Sequence, residues 1–156
     1  MEDWINVHRH KIDANTYYYI SLLIAGQLVK GIEFAHKRGL FHRDIKPSNV
    51  FIANYVQVKI GDFELAKFID AVTRTHTVGN MSTPAYTAPE QWLGKNYEKK
   101  TDVYQLGCTL YHLFTSSIPF DGPLYAQINS HLNDKPVEVL NKNPLVSKKL
   151  SDAILN

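Results

Sequence analysis

Cysteine occurs once in 156 residues, so the chain can form no internal disulfide and no cysteine cluster for a metal. A reducing, cytoplasmic setting is the expectation, with Cys108, inside an apolar segment, as a buried and inert thiol. Neither sign of charge is in excess: 17 Lys and Arg stand against 15 Asp and Glu. The basic residues are scattered apart from short clusters at 36–38 and 99–100, which gives no footprint for nucleic acid. Long hydrophobic runs are also absent. The longest near-apolar stretch, Ile20 to Gly26, falls far below the roughly 20 residues that span a bilayer. The opening Met1-Glu2-Asp3-Trp4 lacks the basic and apolar regions of a secretory signal. No repeat and no Gly/Ser/Pro linker divides the chain, so one continuous domain is expected.

What is present reads as mainly α with a short β-hairpin. Apolar residues recur at Ile20, Leu23, Ile24, Leu28, Ile32 and Ala35, with Gly31 on the same stripe, which predicts a helix over 16–37 burying one face. His36, Lys37 and Arg38 occupy its last turn, where cations suit the helix dipole, and Gly39 follows as a cap. A second apolar helix is expected from Thr101, read as its N-cap, to Thr115, with Val103, Leu106, Gly107, Leu110, Leu113 and Phe114 inward. Two weaker helices follow at 124–133 and 147–155.

Between the strong helices, Val50-Phe51-Ile52 and Val56 to Ile60 read as antiparallel strands joined at Ala53-Asn54-Tyr55. A register with Ile52 facing Val56 sets Asn49 opposite Lys59 and carries Lys46 toward Asp62. The Thr-rich stretch from Leu65 to Pro89 has little periodicity and reads as a long functional loop.

His42-Arg43-Asp44-Ile45-Lys46-Pro47-Ser48-Asn49 gathers a carboxylate, two cations and an amide in one loop. A carboxylate can orient a hydroxyl and take its proton, an ammonium can neutralise phosphate, and an amide oxygen with Asp62 can hold a hard cation. This segment resembles the H-R-D-x-K-x-x-N catalytic loop of eukaryotic-type Ser/Thr protein kinases, Gly61-Asp62-Phe63-Glu64 their D-F-G segment, and Ala88-Pro89-Glu90 their A-P-E. Thr83-Pro84-Ala85-Tyr86 and Asp102 to Gly107 extend the resemblance over nearly the whole chain.

The resemblance implies a kinase large lobe with ATP and Mg²⁺ as cofactors and a protein as substrate. Asp44 would be the base, Lys46 the contact to the transferred phosphate, and Asn49 and Asp62 the metal ligands. Lys46 favours Ser/Thr over Tyr substrates. Thr83 would orient Asp44 and Lys46. Arg43 would read a phosphate on the activation loop, with Thr75 and Thr77 ranked above Thr73 and Ser82. His42, Glu90 and Asp102 would be structural, Asp102 bracing the catalytic loop or serving as an ordinary first-turn acid. His76, His112 and His131 show no ligand spacing.

Two departures stand out. Glu64 replaces the D-F-G glycine, which restricts the backbone there and sets a carboxylate beside Asp62. No counterpart of the G-x-G-x-x-G loop, the V-A-I-K lysine or its helix glutamate occurs, nor an arginine to pair with Glu90. The 156 residues therefore read as a partial kinase domain whose small lobe is absent and expected from a parent chain, inactive alone. The alternative is a non-catalytic, pseudokinase-like regulatory or binding module. A metabolite phosphotransferase of related fold is disfavoured by Thr83 and A-P-E. Residues 2–5 resemble kinases of a translation initiation factor, and 125–137 resemble bacterial Ser/Thr kinases.

Overall fold

The computed structural model describes residues 1–53, 56–63, 83–95 and 99–156. After a short helix α1 (Glu2–His8), the long helix α2 runs from Ala14 to His36. Asp13 caps it, its carboxylate accepting from the Thr16 amide at 3.0 Å. At the far end Gly39 takes φ +70°. Its amide donates to the His36 carbonyl, and the Leu40 amide donates to that of Ala35. This is the double closure that a left-handed residue after a helix allows, and glycine reaches it without a Cβ penalty.

The buried face of α2 is Tyr17, Ser21, Ile24, Ala25, Leu28, Ile32 and Ala35. Leu23, expected inward, is 59% exposed, because the stripe passes through position 21 instead, where Ser21 satisfies its hydroxyl on the Tyr17 carbonyl. Tyr17 donates to the Leu113 carbonyl at 2.9 Å and pins α2 to the other long helix.

A 3₁₀ turn (Pro47–Asn49) leads into β1 (Val50–Ala53), which pairs antiparallel with β2 (Gln57–Ile60). The register sets Ile52 against Val58, not Val56. Val56 adopts φ +60° and belongs to the turn, so the ladder begins one residue later than expected. The shift is two residues, so each side chain keeps its face, and Gly61 rather than Lys59 meets Asn49, its amide donating to the Asn49 carbonyl at 2.9 Å. Gly31 lets the hairpin settle on α2: a Cβ there would lie 3.0 Å from Ile60 Cδ1.

A second 3₁₀ turn (Pro84–Tyr86) and a short α3 (Pro89–Trp92) precede α4 (Lys99–Thr115). Thr101 lies inside α4 rather than capping it. It is fully buried, and its hydroxyl donates to Glu90 Oε1 at 2.5 Å. Val103, expected inward, is 48% exposed. Then come α5 (Leu124–Asn133), α6 (Val139–Lys142) and α7 (Lys148–Leu155), the last capped by the Ser147 hydroxyl. The core joins Ile5, Ile24, Leu28, Val50, Leu113, Phe114, Val139, Val146 and Ile154. Each large apolar side chain so buried contributes about 1.5–3 kcal/mol. Among the described residues no helix is long and apolar enough to cross a membrane.

Candidate active site

Residues 42–49 cross between α2 and the hairpin, and almost every peptide group in their first half is held by a buried side chain. Asp102, fully buried in the first turn of α4, accepts from the His42 amide at 2.8 Å and the Arg43 amide at 2.6 Å. His36 Nε2 lies 2.7 Å from the same carboxylate, so this last-turn histidine turns inward onto Asp102 rather than to solvent. Arg43 stands at φ +68°, a left-handed conformation that costs a non-glycine residue about 1–2 kcal/mol. The pair of hydrogen bonds to Asp102 is part of what imposes it.

His42 is buried beneath the loop. Its Nδ1 accepts from the Asp44 amide at 3.3 Å, which assigns the proton to Nε2, and Nε2 donates to the Gly61 carbonyl at 2.7 Å. Its ring packs on Phe63 at 4.6 Å between centroids. One side chain thus ties the loop to the end of β2, the place where Asp62 emerges, exposed and at φ +58°.

Asp44 is the centre of the polar cluster. One of its carboxylate oxygens, Oδ2, lies 2.9 Å from Lys46 Nζ and accepts from Asn49 Nδ2 at 3.0 Å. Asn49 also donates to the Asp44 carbonyl at 2.8 Å. With Nδ2 committed to Asp44, the carbonyl end of Asn49 is left as an oxygen donor, and the Gly61–Asn49 backbone pairing sets Asp62 one residue further along the chain. Two hard oxygen donors next to an ammonium fit a divalent cation that keeps much of its water and bridges to phosphate.

The structure thus brings Asp44, Lys46 and Asn49 into direct contact and sets Asp62 one residue from the pairing partner of Asn49. Thr83 is exposed, at φ +33°, where the chain enters the second 3₁₀ turn. Glu90, expected as a carboxylate without an arginine, accepts from Thr101 instead. Thr73, Thr75, Thr77, Ser82 and Glu64 lie outside the described residues.

The protein kinase domain family matches residues 8–154. The chain belongs to that family. A probable serine/threonine-protein kinase of Clostridium perfringens is 35% identical over 140 residues, covering 88% of this chain and 20% of the relative. The serine/threonine-protein kinase PrkC of Bacillus subtilis is 37% identical over 136 residues, covering 86% of this chain and 21% of the relative. A serine/threonine-protein kinase of Myxococcus xanthus is 38% identical over 138 residues, with 85% and 20% covered. The chain spans about a fifth of the length of these curated relatives. Members of the family use ATP and a divalent metal in general.

Sequence reasoning missed the residues of this kinase domain that hold the loop from behind. Gln91 and Gln105 both donate to the Arg43 carbonyl, at 3.2 and 3.1 Å. Tyr86, the last residue of the second 3₁₀ turn, and Tyr104 pair through their hydroxyls with Nδ1 of His112 and His131, at 2.6 and 2.7 Å. Burial raises both phenols and lowers both imidazoles, His131 to about 4. Burial also pushes the Cys108 thiol up to about 12. A cavity of about 640 Å³ lies on this side of α4, lined by Tyr104, Cys108, His131 and Ile154 and not by Asp44. The available signal was spacing: Gln105 lies three residues beyond Asp102, on the same helix face.

Proposed function

We propose that the protein built on this kinase domain transfers the γ-phosphoryl group of ATP to serine or threonine hydroxyls of other proteins, using Mg²⁺ in the cytoplasm. The supporting observation is the carboxylate of Asp44 held by Lys46 at 2.9 Å and Asn49 at 3.0 Å, with the residue before Asp62 bonded through its backbone to Asn49. The names of the relatives, all serine/threonine-protein kinases, agree with it.

Asp44 orients the acceptor hydroxyl and takes its proton at a carboxylate oxygen. Lys46, on the same oxygen, carries the positive charge that meets the transferred phosphoryl oxygens. Asn49 and Asp62 would hold the cation, which when bound supplies charge neutralisation to the phosphates. Thr83 would orient Asp44 and Lys46 in this reading. Arg43, one residue from Asp44, couples the loop to a phosphate on Thr75 or Thr77 through bidentate pairing. The covering small lobe belongs to the parent chain in this reading.

The test is phosphate incorporation into a protein substrate by the protein as expressed at its own locus. Asp44→Asn removes the base and is expected to lower the rate by about 10²- to 10⁴-fold. Equal incorporation by wild type and variant defeats the proposal.

The second reading, a non-catalytic regulatory module, is favoured by one sequence feature, Glu64 in place of the D-F-G glycine. It predicts Mg²⁺-independent partner binding and no incorporation, and Glu64→Gly would then leave the protein silent.

A further inference from the structure

Gln105 sits one turn along α4 from Asp102 and is 3% exposed. Its amide uses every hydrogen-bonding group it has. Oε1 accepts from the Ile45 amide at 2.9 Å, while Nε2 donates to the Arg43 carbonyl at 3.1 Å and to Gln91 Oε1 at 2.8 Å. Only this orientation works, since exchanging the two ends would set oxygen against the carbonyl of Arg43 and the oxygen of Gln91. Gln91 is equally committed: Oε1 also accepts from the Ala88 amide at 2.8 Å, and Nε2 donates to the Arg43 carbonyl.

These bonds bracket Asp44. The carbonyl before it and the amide after it are both fixed by one buried side chain, and the carbonyl is fixed twice. We infer that Gln105 is a positioning residue for Asp44, and that Gln91 links that clamp to the Ala88–Trp92 segment, so that the base and the chain leading from Thr83 keep one relative placement. Asp102 holds the amides of residues 42 and 43, whereas the glutamine pair holds the carbonyl of 43 and the amide of 45. The two devices act on different peptide groups, and neither replaces the other. A buried side chain with all its polar groups satisfied locks one arrangement, whereas an apolar side chain of the same size takes the Gln105 bond from the Ile45 amide and leaves the Arg43 carbonyl to Gln91 alone. The inference rests on the phosphotransfer reading for its kinetic consequence but not for its structural one.

The experiment compares wild type, Gln105→Met and Gln91→Ala in the full protein, by steady-state kinetics and by amide hydrogen exchange. Gln105→Met keeps the volume and removes the amide. A displaced base lowers kcat by about 10- to 100-fold. KM values for ATP and protein substrate stay within about twofold, because binding is untouched. The Ile45 amide loses protection while those of Leu110 to Phe114 keep theirs. Gln91→Ala, at a half-buried position, lowers kcat more weakly, since Gln105 still holds the Arg43 carbonyl and the Ile45 amide, and the double variant is worse than Gln105→Met because only it takes both donors from the Arg43 carbonyl. Unchanged kcat with a protected Ile45 amide overturns the inference. So does a fall in kcat accompanied by lost protection across Leu110 to Phe114, which is a plain stability effect. If Gln105→Met does not fold, Gln105→Glu, which keeps the oxygen that the Ile45 amide donates to and loses the donor to the Arg43 carbonyl, decides by kcat against KM and by protection across Leu110 to Phe114. Asp44→Asn run alongside separates the two ideas: if it leaves activity intact the phosphotransfer reading fails, while exchange at Ile45 still judges the clamp.

Discussion

The two halves of α4 do different work. From Thr101 to Thr109 its buried side chains are largely polar: Thr101, Asp102, Gln105 and Thr109 all turn inward, and each hydrogen-bonds a residue outside the helix. From Leu110 to Phe114 they are Leu110, Tyr111, Leu113 and Phe114, packed with Ile24, Leu28, Val50 and Val139. Polar burial gains little net free energy, since each bond replaces one to water, but leaving one partner unmet costs about 1–3 kcal/mol. Apolar burial is favourable in proportion to area and indifferent to direction. The first half therefore fixes where atoms are, and the second fixes whether the chain folds.

That contrast can be broken from either end. Asp102→Ala should have the largest effect, because it strips the partners from the His42 and Arg43 amides and from His36 at once. Each orphaned amide costs about 1–3 kcal/mol. Arg43 then relaxes from its left-handed conformation, and phosphotransfer by the folded protein falls about 10²-fold or more through displacement of Asp44. A variant that lost stability and kept its specific activity would dissolve the division of labour. Phe114→Ala is the counterpart in the second half. Removal of a fully buried ring should lower stability by about 3–5 kcal/mol in denaturant titration. The specific activity of the remaining folded protein should be unchanged, since Phe114 belongs to the apolar core and not to the polar half of the helix.

The same division explains what could be read without coordinates. Apolar periodicity marked α2 and α4 to within two residues at most ends, because a buried stripe must repeat every three or four positions. The motifs around Asp44, Asn49 and Asp62 marked the site because few loops gather those groups. What escaped was the polar side of the packing. Thr101 reads as a cap and the inward pairing of His36 is not legible, since a buried polar residue has no periodicity of its own and its partner lies some 11 or 66 residues away. The hairpin register slipped by two because period-2 alternation is unchanged by such a shift, and only the left-handed Val56 sets the true start. Gln91 and Gln105 were invisible for the same reason as Thr101.

The smallest expected effect concerns buried His131 and half-buried His112, each paired with a tyrosine. The Tyr104 hydroxyl lies 2.7 Å from His131 Nδ1, the imidazole is 4% exposed, and burial holds it down to about 4 from an ordinary 6.5, the Pro84 backbone only partly offsetting this. Between those two values the unfolded chain carries a proton on this ring and the folded chain does not. The unfolded state therefore binds more protons, so stability rises with pH across the window and is lost as pH falls from about 6.5 toward 4. Below about 4 both states are protonated and the slope vanishes. His112, lowered in the same direction by burial against Tyr86, adds to the decline. Denaturant midpoints measured between pH 7 and 4 should fall less steeply in His131→Gln than in wild type. Phe114→Ala, which removes no titrating group, should shift the whole curve down without changing its slope. If His131→Gln leaves the slope as it is, the imidazole is already charged in the folded protein, and its pairing with Tyr104 is then something other than a neutral tyrosine–histidine pair.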